Sequence, residues 1–238
     1  MLDMSDIRKK INEILLADVD QATSTPASAT MVETFAEYDY EELYTDIFVM
    51  VHNIDDFYGD QSHPKAALLL ESFLLESLVL LKRDPEVVVV ESGDDYVRAT
   101  SFTPDGEAVV HLFEDVVLMN TMLELYNQAL MGSGLETIDI GIGMATFPRM
   151  TPPESDFGVD DRDDAPLDEE WGIDFNNTAM RLALIANSEA FDVIIINDMA
   201  YDMMEDVDKE FFTSHLEASV IAEEEMTIYH GNIVANEE

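Results

Sequence analysis

Tyr44-Thr-Asp-Ile-Phe-Val-Met-Val-His-Asn53 is apolar through its middle and rich in β-branched and aromatic residues. A run of this length that does not alternate apolar with polar fits a central strand covered on both faces. It runs into Asn53-Ile-Asp-Asp-Phe57, an acidic corner. Downstream, Leu-rich periodicity predicts a helix from about Pro64 to Lys82, with basic residues in its last turn. Pro85-Glu-Val-Val-Val-Val-Glu-Ser-Gly-Asp-Asp-Tyr-Val-Arg-Ala99 reads as two β-rich runs joined at Ser-Gly-Asp-Asp, a hairpin signal.

Glu107–Met131 carries Leu, Met and Val at helical spacing, and Ile138-Asp-Ile-Gly-Ile-Gly-Met-Ala145 alternates as a strand. An Asp-, Glu- and Pro-rich loop spans 151–170. It leads to Asp168-Glu-Glu-Trp-Gly-Ile-Asp-Phe-Asn-Asn-Thr-Ala-Met-Arg-Leu182, which enters another helix. Phe191–Asn197 reads as a buried strand, Asp198–Met204 as a short helix and Glu225–Val234 as a closing strand. This order predicts an α+β fold: a ferredoxin-like palm with a βαββαβ core, helices mainly on one face of the sheet, and a small C-terminal α/β extension.

Upstream, residues 5–16 read as an amphipathic helix with Ile7, Ile11, Ile14 and Leu15 on one face, and 20–34 as a small-residue linker. Two parts are expected: an N-terminal helix and linker at 1–43 and a catalytic domain at 44–238.

Composition narrows the function. With 47% hydrophobic residues and 12 Phe, the chain can build a core rather than an acidic tail. No apolar run reaches the roughly 20 residues of a membrane span, and no secretory leader is visible, so no membrane partner and a cytoplasmic location are expected. The absence of Cys removes disulfides and thiolate chemistry. The balance of 52 acidic to 11 basic residues, formally −41, argues against binding nucleic acid, whose affinity comes from Lys and Arg on phosphates. An anionic ligand would need divalent metal as counter-charge. Salt adaptation, solubility and a basic partner account for the charge equally well.

Two acidic corners are candidates for a metal site, Asn53, Asp55 and Asp56 after the first strand and Asp94 and Asp95 in the hairpin turn. Oxygen ligands of this kind suit Mg²⁺ or Mn²⁺. In so acidic a chain the same residues also serve simply as turn formers. Asn177 and Arg181, near a helix N-terminus, suit a ribose oxygen and a charged phosphate, and serve equally as a cap and a surface Arg. The histidines are scattered, and Met119, Met122 and Met131 fall at helical spacing as core residues do.

Four motifs in order resemble the class III nucleotidyl cyclases. These are Asn53-Ile54-Asp55-Asp56-Phe57 for the family's Asp-Ile-x-Gly-Phe, Gly93-Asp94 for its hairpin, Gly141-Ile142-Gly143 for its strand, and Asn177-Thr178-Ala179-Met180-Arg181 for its Asn-x-Ala-x-Arg helix start. The order holds over roughly 44–234. Within the class the chain is similar to the pyrimidine nucleotide cyclases of bacterial anti-phage Pycsar systems, through the N-terminal helix, the Pro-containing linker and Trp171 six residues before Asn177. Ser92-Gly-Asp-Asp-Tyr96 more weakly resembles the diguanylate cyclase signature, but Tyr58 stands where that family has Lys.

The resemblance implies conversion of a nucleoside triphosphate to its 3′,5′-cyclic monophosphate and pyrophosphate, by a homodimer with sites at the interface and Mg²⁺ or Mn²⁺ as cofactor. It implies metal ligation at Asn53, Ile54, Asp55 and Asp94. It puts Asn177 on the ribose and Arg181 on the phosphate in the transition state. Glu169, Trp171 and Phe57 fall on the nucleotide-binding side, and Arg98 and Arg149 are the stand-ins for the family's triphosphate-supporting Lys. The chain departs from the pattern at three places. Asn53 replaces the family's Asp, Asp56 replaces its Gly, and Gly172-Ile173 reverses its Ile-Gly. These departures keep a second expectation open: a catalytically impaired homologue that binds nucleotide or protein as a dimer.

Overall fold

The computed structural model describes residues 4–17, 33–34, 43–59, 63–85, 87–103, 106–148, 175–217 and 226–235. Strand β2 (Leu43–Val51) is the spine. It pairs antiparallel with β4 (Tyr96–Thr103) on one side and β5 (Ile140–Pro148) on the other. With β1 (Glu33–Thr34), β3 (Val87–Ser92), β6 (Ile194–Asn197), β7 (Phe212–Glu217) and β8 (Met226–Gly231) it forms an eight-stranded sheet in the order β1-β3-β4-β2-β5-β6-β8-β7. The expected βαββαβ core is β2, α3 (Pro64–Arg83), β3, β4, α4 (Gly106–Gly132) and β5.

The two faces of β2 separate by period two, as side chains of a strand must. Ile47, Val49 and Val51 enter the main core with α3, α4 and α1 (Met4–Leu16), whose Ile7 and Ile11 are buried there. Phe48 faces a second, smaller core built on α5 (Phe175–Ile185) from Ala179, Leu182 and Ala183, with Ala186 just past its end and Ala145 and Ile195 from the sheet. Most helices therefore lie on one face and α5 lies on the other. This explains why β2 reads as continuously apolar.

The Gly-Ile-Gly of β5 has a steric cause. A Cβ at Gly141 would sit 1.9 Å from the Ala183 carbonyl oxygen, and one at Gly143 would sit 2.0 Å from that of Ala179. With no side chain there, α5 lies directly on the strand. Gly143→Ala is expected to cost about 3 kcal/mol, the upper end for overpacking, because backbone rather than a movable side chain blocks the added methyl. A urea denaturation midpoint checks this.

Four short elements escaped the sequence reading. They are β1, which falls at the end of the expected 20–34 linker, α2 (Ile54–Tyr58), α7 (Asp206–Lys209) and β7; α6 (Asp198–Met203) falls where a short helix was expected. The 151–170 loop lies outside the described residues, as does most of the 20–34 linker.

Candidate active site

The end of β2 is held from both sides. Val51 N donates to the Asp95 carbonyl of the β3–β4 turn at 2.7 Å, and His52 N donates to the Asp139 carbonyl at 2.8 Å. The hairpin turn closes through Gly93 N to the Tyr96 carbonyl at 3.0 Å. The two acidic corners named from sequence are thus adjacent. At their junction Asp94 Oδ1 is buried with no hydrogen-bond partner. A carboxylate oxygen removed from water and left unpaired is costly, and a bound cation would offset that cost.

Glu71 on α3 belongs to the same neighbourhood, and its Oε1 is likewise buried without a partner. Tyr58 lies close enough to feel both carboxylates. Burial first, then the charges of Glu71 and Asp94, push its phenol up to about 12. Burial also pushes the Glu71 carboxyl up from its ordinary value. Sequence reasoning missed Glu71, although a lone acid inside Ala66-Ala-Leu-Leu-Leu-Glu71-Ser-Phe was the available signal.

Asn53 is engaged in another way. Its Nδ2 donates to the Thr137 carbonyl at 2.9 Å, and its Oδ1 accepts from Asp139 N at 2.9 Å. On the opposite edge of the same short segment, Asn127 of α4 donates to the Ile138 carbonyl at 2.9 Å and accepts from Ile138 N at 2.7 Å. Two carboxamides therefore clamp residues 137–139 as neighbouring strands would. An aspartate at 53 could accept from Asp139 N but could not donate to Thr137.

Ile54 is half-buried against the main core. Asp55 and Asp56 are exposed in the first turn of α2, where the helix dipole favours acids. Phe57, assigned from sequence to the nucleotide-binding side, packs inward. It is fully buried in the main core, because the short α2 needs an apolar anchor to stay docked. Among the described residues, no three His, Asp or Glu side chains gather into a ready-made cation cage.

On α5, Arg181 is half-buried and falls on the side of the helix away from the sheet, opposite Ala179, Leu182, Ala183 and Ala186. Asn177 lies one turn earlier in the same helix. Glu169, Trp171 and Arg149 fall outside the described residues. One contact joins the helix to the corner: His52 Nε2 donates to the Ala183 carbonyl at 2.9 Å, while its Nδ1 stands 3.7 Å from Asp139 Oδ1.

Arg98, the sequence stand-in for a triphosphate-supporting Lys, is paired within its own sheet. Its Nε reaches both oxygens of Asp46, at 3.0 and 3.1 Å, and its Nη2 lies 3.3 Å from the Tyr44 hydroxyl. Thr100 adds a third bond to Asp46 at 2.9 Å. Burial pushes the Asp46 carboxyl up to about 6, and Arg98 opposes that rise. The guanidinium is held more firmly charged by the same pair.

No family model and no curated protein matches the sequence. Solved structures do match the fold. The adenylyl cyclase CyaB from P. aeruginosa is 15% identical, with 88% of this chain and 97% of that chain covered at a TM-score of 0.55. The guanylyl cyclase Cya2 is 14% identical over 82% of this chain and 93% of that one, at 0.53. The guanylate cyclase domain of RhGC from Catenaria anguillulae, solved with GTP, is 21% identical over 84% of this chain and 100% of that one, at 0.50. The architecture built on β2 and α5 is therefore that of the class III adenylyl and guanylyl cyclase catalytic domains.

Proposed function

We propose that this protein is a nucleotidyl cyclase that converts a nucleoside triphosphate, a pyrimidine one, to its 3′,5′-cyclic monophosphate and pyrophosphate, as a signalling step in anti-phage defence. The observation that carries this reading is Asp94 Oδ1, buried and unpartnered at the junction of the two acidic corners of a cyclase-type sheet. Trp171, six residues before Asn177, supports the pyrimidine assignment through the Pycsar resemblance.

Asp94, together with Ile54 and Asp55 from the first corner, would hold Mg²⁺ or Mn²⁺. A divalent ion bound there would supply Lewis-acid stabilisation of the negative charge that develops on the reacting oxygens. The chain's own contribution is positional and electrostatic. Asn177 orients the ribose so that O3′ faces the α-phosphorus. Arg181 would stabilise negative charge as O3′ gives its proton to solvent and bonds to the α-phosphorus while the bond to the bridging oxygen of pyrophosphate breaks. In a homodimer whose sites lie at the interface, Arg181 of one copy would serve the corner of the other. Formation of cyclic product from UTP or CTP with Mn²⁺, reduced at least about 100-fold in Asp94→Ala, is the expected result. Full turnover in that variant would remove the corner from the reaction.

The Asn53 clamp favours a second reading, an impaired homologue that binds nucleotide or protein as a dimer. Asn53→Asp separates the two. The change removes the donation to Thr137 and sets a carboxylate against a carbonyl, so stability should fall by about 1–3 kcal/mol in thermal or urea unfolding. Metal-dependent turnover that rises despite this loss identifies Asn53 as a degraded ligand. Turnover that falls with stability identifies it as part of the scaffold.

A further inference from the structure

Beside the clamp, on the Asn127 edge, lies a cavity of about 400 Å³ between α4, the start of β6 and the segment after β8. Its polar lining is Asn120, Glu124, Asn127, Gln128, Asn187 and Asn232, over a floor that includes the buried Leu123 and Val193. We propose that this cavity is an effector site for an uncharged, hydroxyl-bearing ligand, a sugar or a nucleoside, and that occupancy is felt at the Asn53 corner through residues 137–139.

The ligand class follows from the lining. Carboxamides donate and accept at once, which matches hydroxyls and the amide edges of a base. An apolar floor beneath a few convergent polar groups suits one flat face of a ring. Among the described residues no Lys or Arg lines the cavity, and Glu124 does. In a chain of formal charge −41 a phosphate would enter without a counter-charge.

The coupling is a chain of contacts. Asn127 grips both backbone polar groups of Ile138, and Asn53 grips the two flanking them. Asn187, held at a positive φ of 52°, receives its N–H bond partner in the Asp192 carbonyl at 2.9 Å and donates through Nδ2 to Asp139 Oδ1 at 2.5 Å. The Asp139 carbonyl in turn accepts from His52 N at the end of β2. A ligand that engages Asn127 or Asn187 therefore bears on both partners of the corner, and shifts it by as much as its affinity differs between arrangements.

Binding is tested on the full chain by saturation-transfer NMR with ribose, glucose, uridine, UMP and putrescine as separate probes. Uridine or a free sugar is expected to bind with a Kd on the order of 0.1–1 mM, and UMP at least about tenfold more weakly. Equal affinity for ribose or glucose and uridine assigns the site to sugars; uridine alone assigns it to nucleosides. Gln128→Trp and, independently, Glu124→Trp fill the cavity from exposed positions one turn apart on α4 and leave the clamp intact. Each should weaken binding at least about tenfold, and ligand should slow amide exchange at 138 and 139 in the unaltered protein. Binding by none of the neutral probes, equal or tighter binding of UMP or putrescine, or binding that survives both Trp variants overturns the proposal. The binding arm is independent of the cyclase reading, and only an effect of the ligand on turnover rests on it. Failure of that reading appears instead as absence of cyclic product, with the binding result unchanged.

Discussion

Arg98→Ala is expected to destabilise the protein by about 3 kcal/mol at neutral pH, because it leaves the Asp46 carboxylate buried without its counter-charge. Losses of this kind run to about 5 kcal/mol; the lower figure applies because Arg98 keeps 22% side-chain exposure while Asp46 has 0%. The loss should depend on pH in a defined direction. The folded Asp46 carboxyl lies at about 6 against an ordinary 3.8, with burial as the largest cause. A carboxyl raised on folding adds stability that is full below its unfolded value and disappears as pH rises through its folded value. Removing Arg98 raises the folded value further, so the gap between variant and parent should narrow as pH falls from 7 toward 4. Urea titrations at these two pH values measure it. A gap that widens on acidification would mean that Asp46 is not the group left unpaired.

The second large effect is on chemistry. Arg181→Ala should lower cyclic-nucleotide formation by about 10³-fold or more, the scale on which a single arginine stabilises a transferring phosphoryl group. A urea midpoint measured on the same variant separates any loss of stability from the loss of chemistry. Arg181→Lys should recover only a small part of the loss, because an ammonium cannot reproduce the planar two-point contact. A kcat that falls while KM stays near its starting value places the interaction in the transition state. Turnover within threefold of the parent would take Arg181 out of the reaction.

The parts of the fold legible in the sequence are those whose burial leaves a pattern. β2 is apolar on both faces because α3 and α4 cover one and α5 the other. Gly141 and Gly143 mark the strand on which a helix backbone rests. β7 left no such pattern, since Thr213, Ser214 and His215 are exposed on an edge strand. α2 is five residues long and opens with two acids, so composition alone makes it a turn. The site divides along the same line. Asp94 stands where its hairpin signal put it. The amide clamp joins residues 84 and 86 positions apart, and the Asp46–Arg98 pair joins residues 52 apart. No local periodicity encodes such contacts. The same holds for Glu71, whose meaning depends on Tyr58 and Asp94 across the corner.

A cyclase built on this sheet, with Asp94 at its corner and Arg181 on α5, would close a ribose phosphate ring. The most direct measurement incubates the purified protein with ATP, GTP, CTP or UTP in turn, with Mn²⁺ and with Mg²⁺, and resolves the nucleotide products by mass and chromatography. The predicted result is a 3′,5′-cyclic monophosphate with one equivalent of pyrophosphate, formed from a pyrimidine triphosphate in preference to a purine one. No cyclic product from any of the four at high protein concentration, with either metal, would contradict the account.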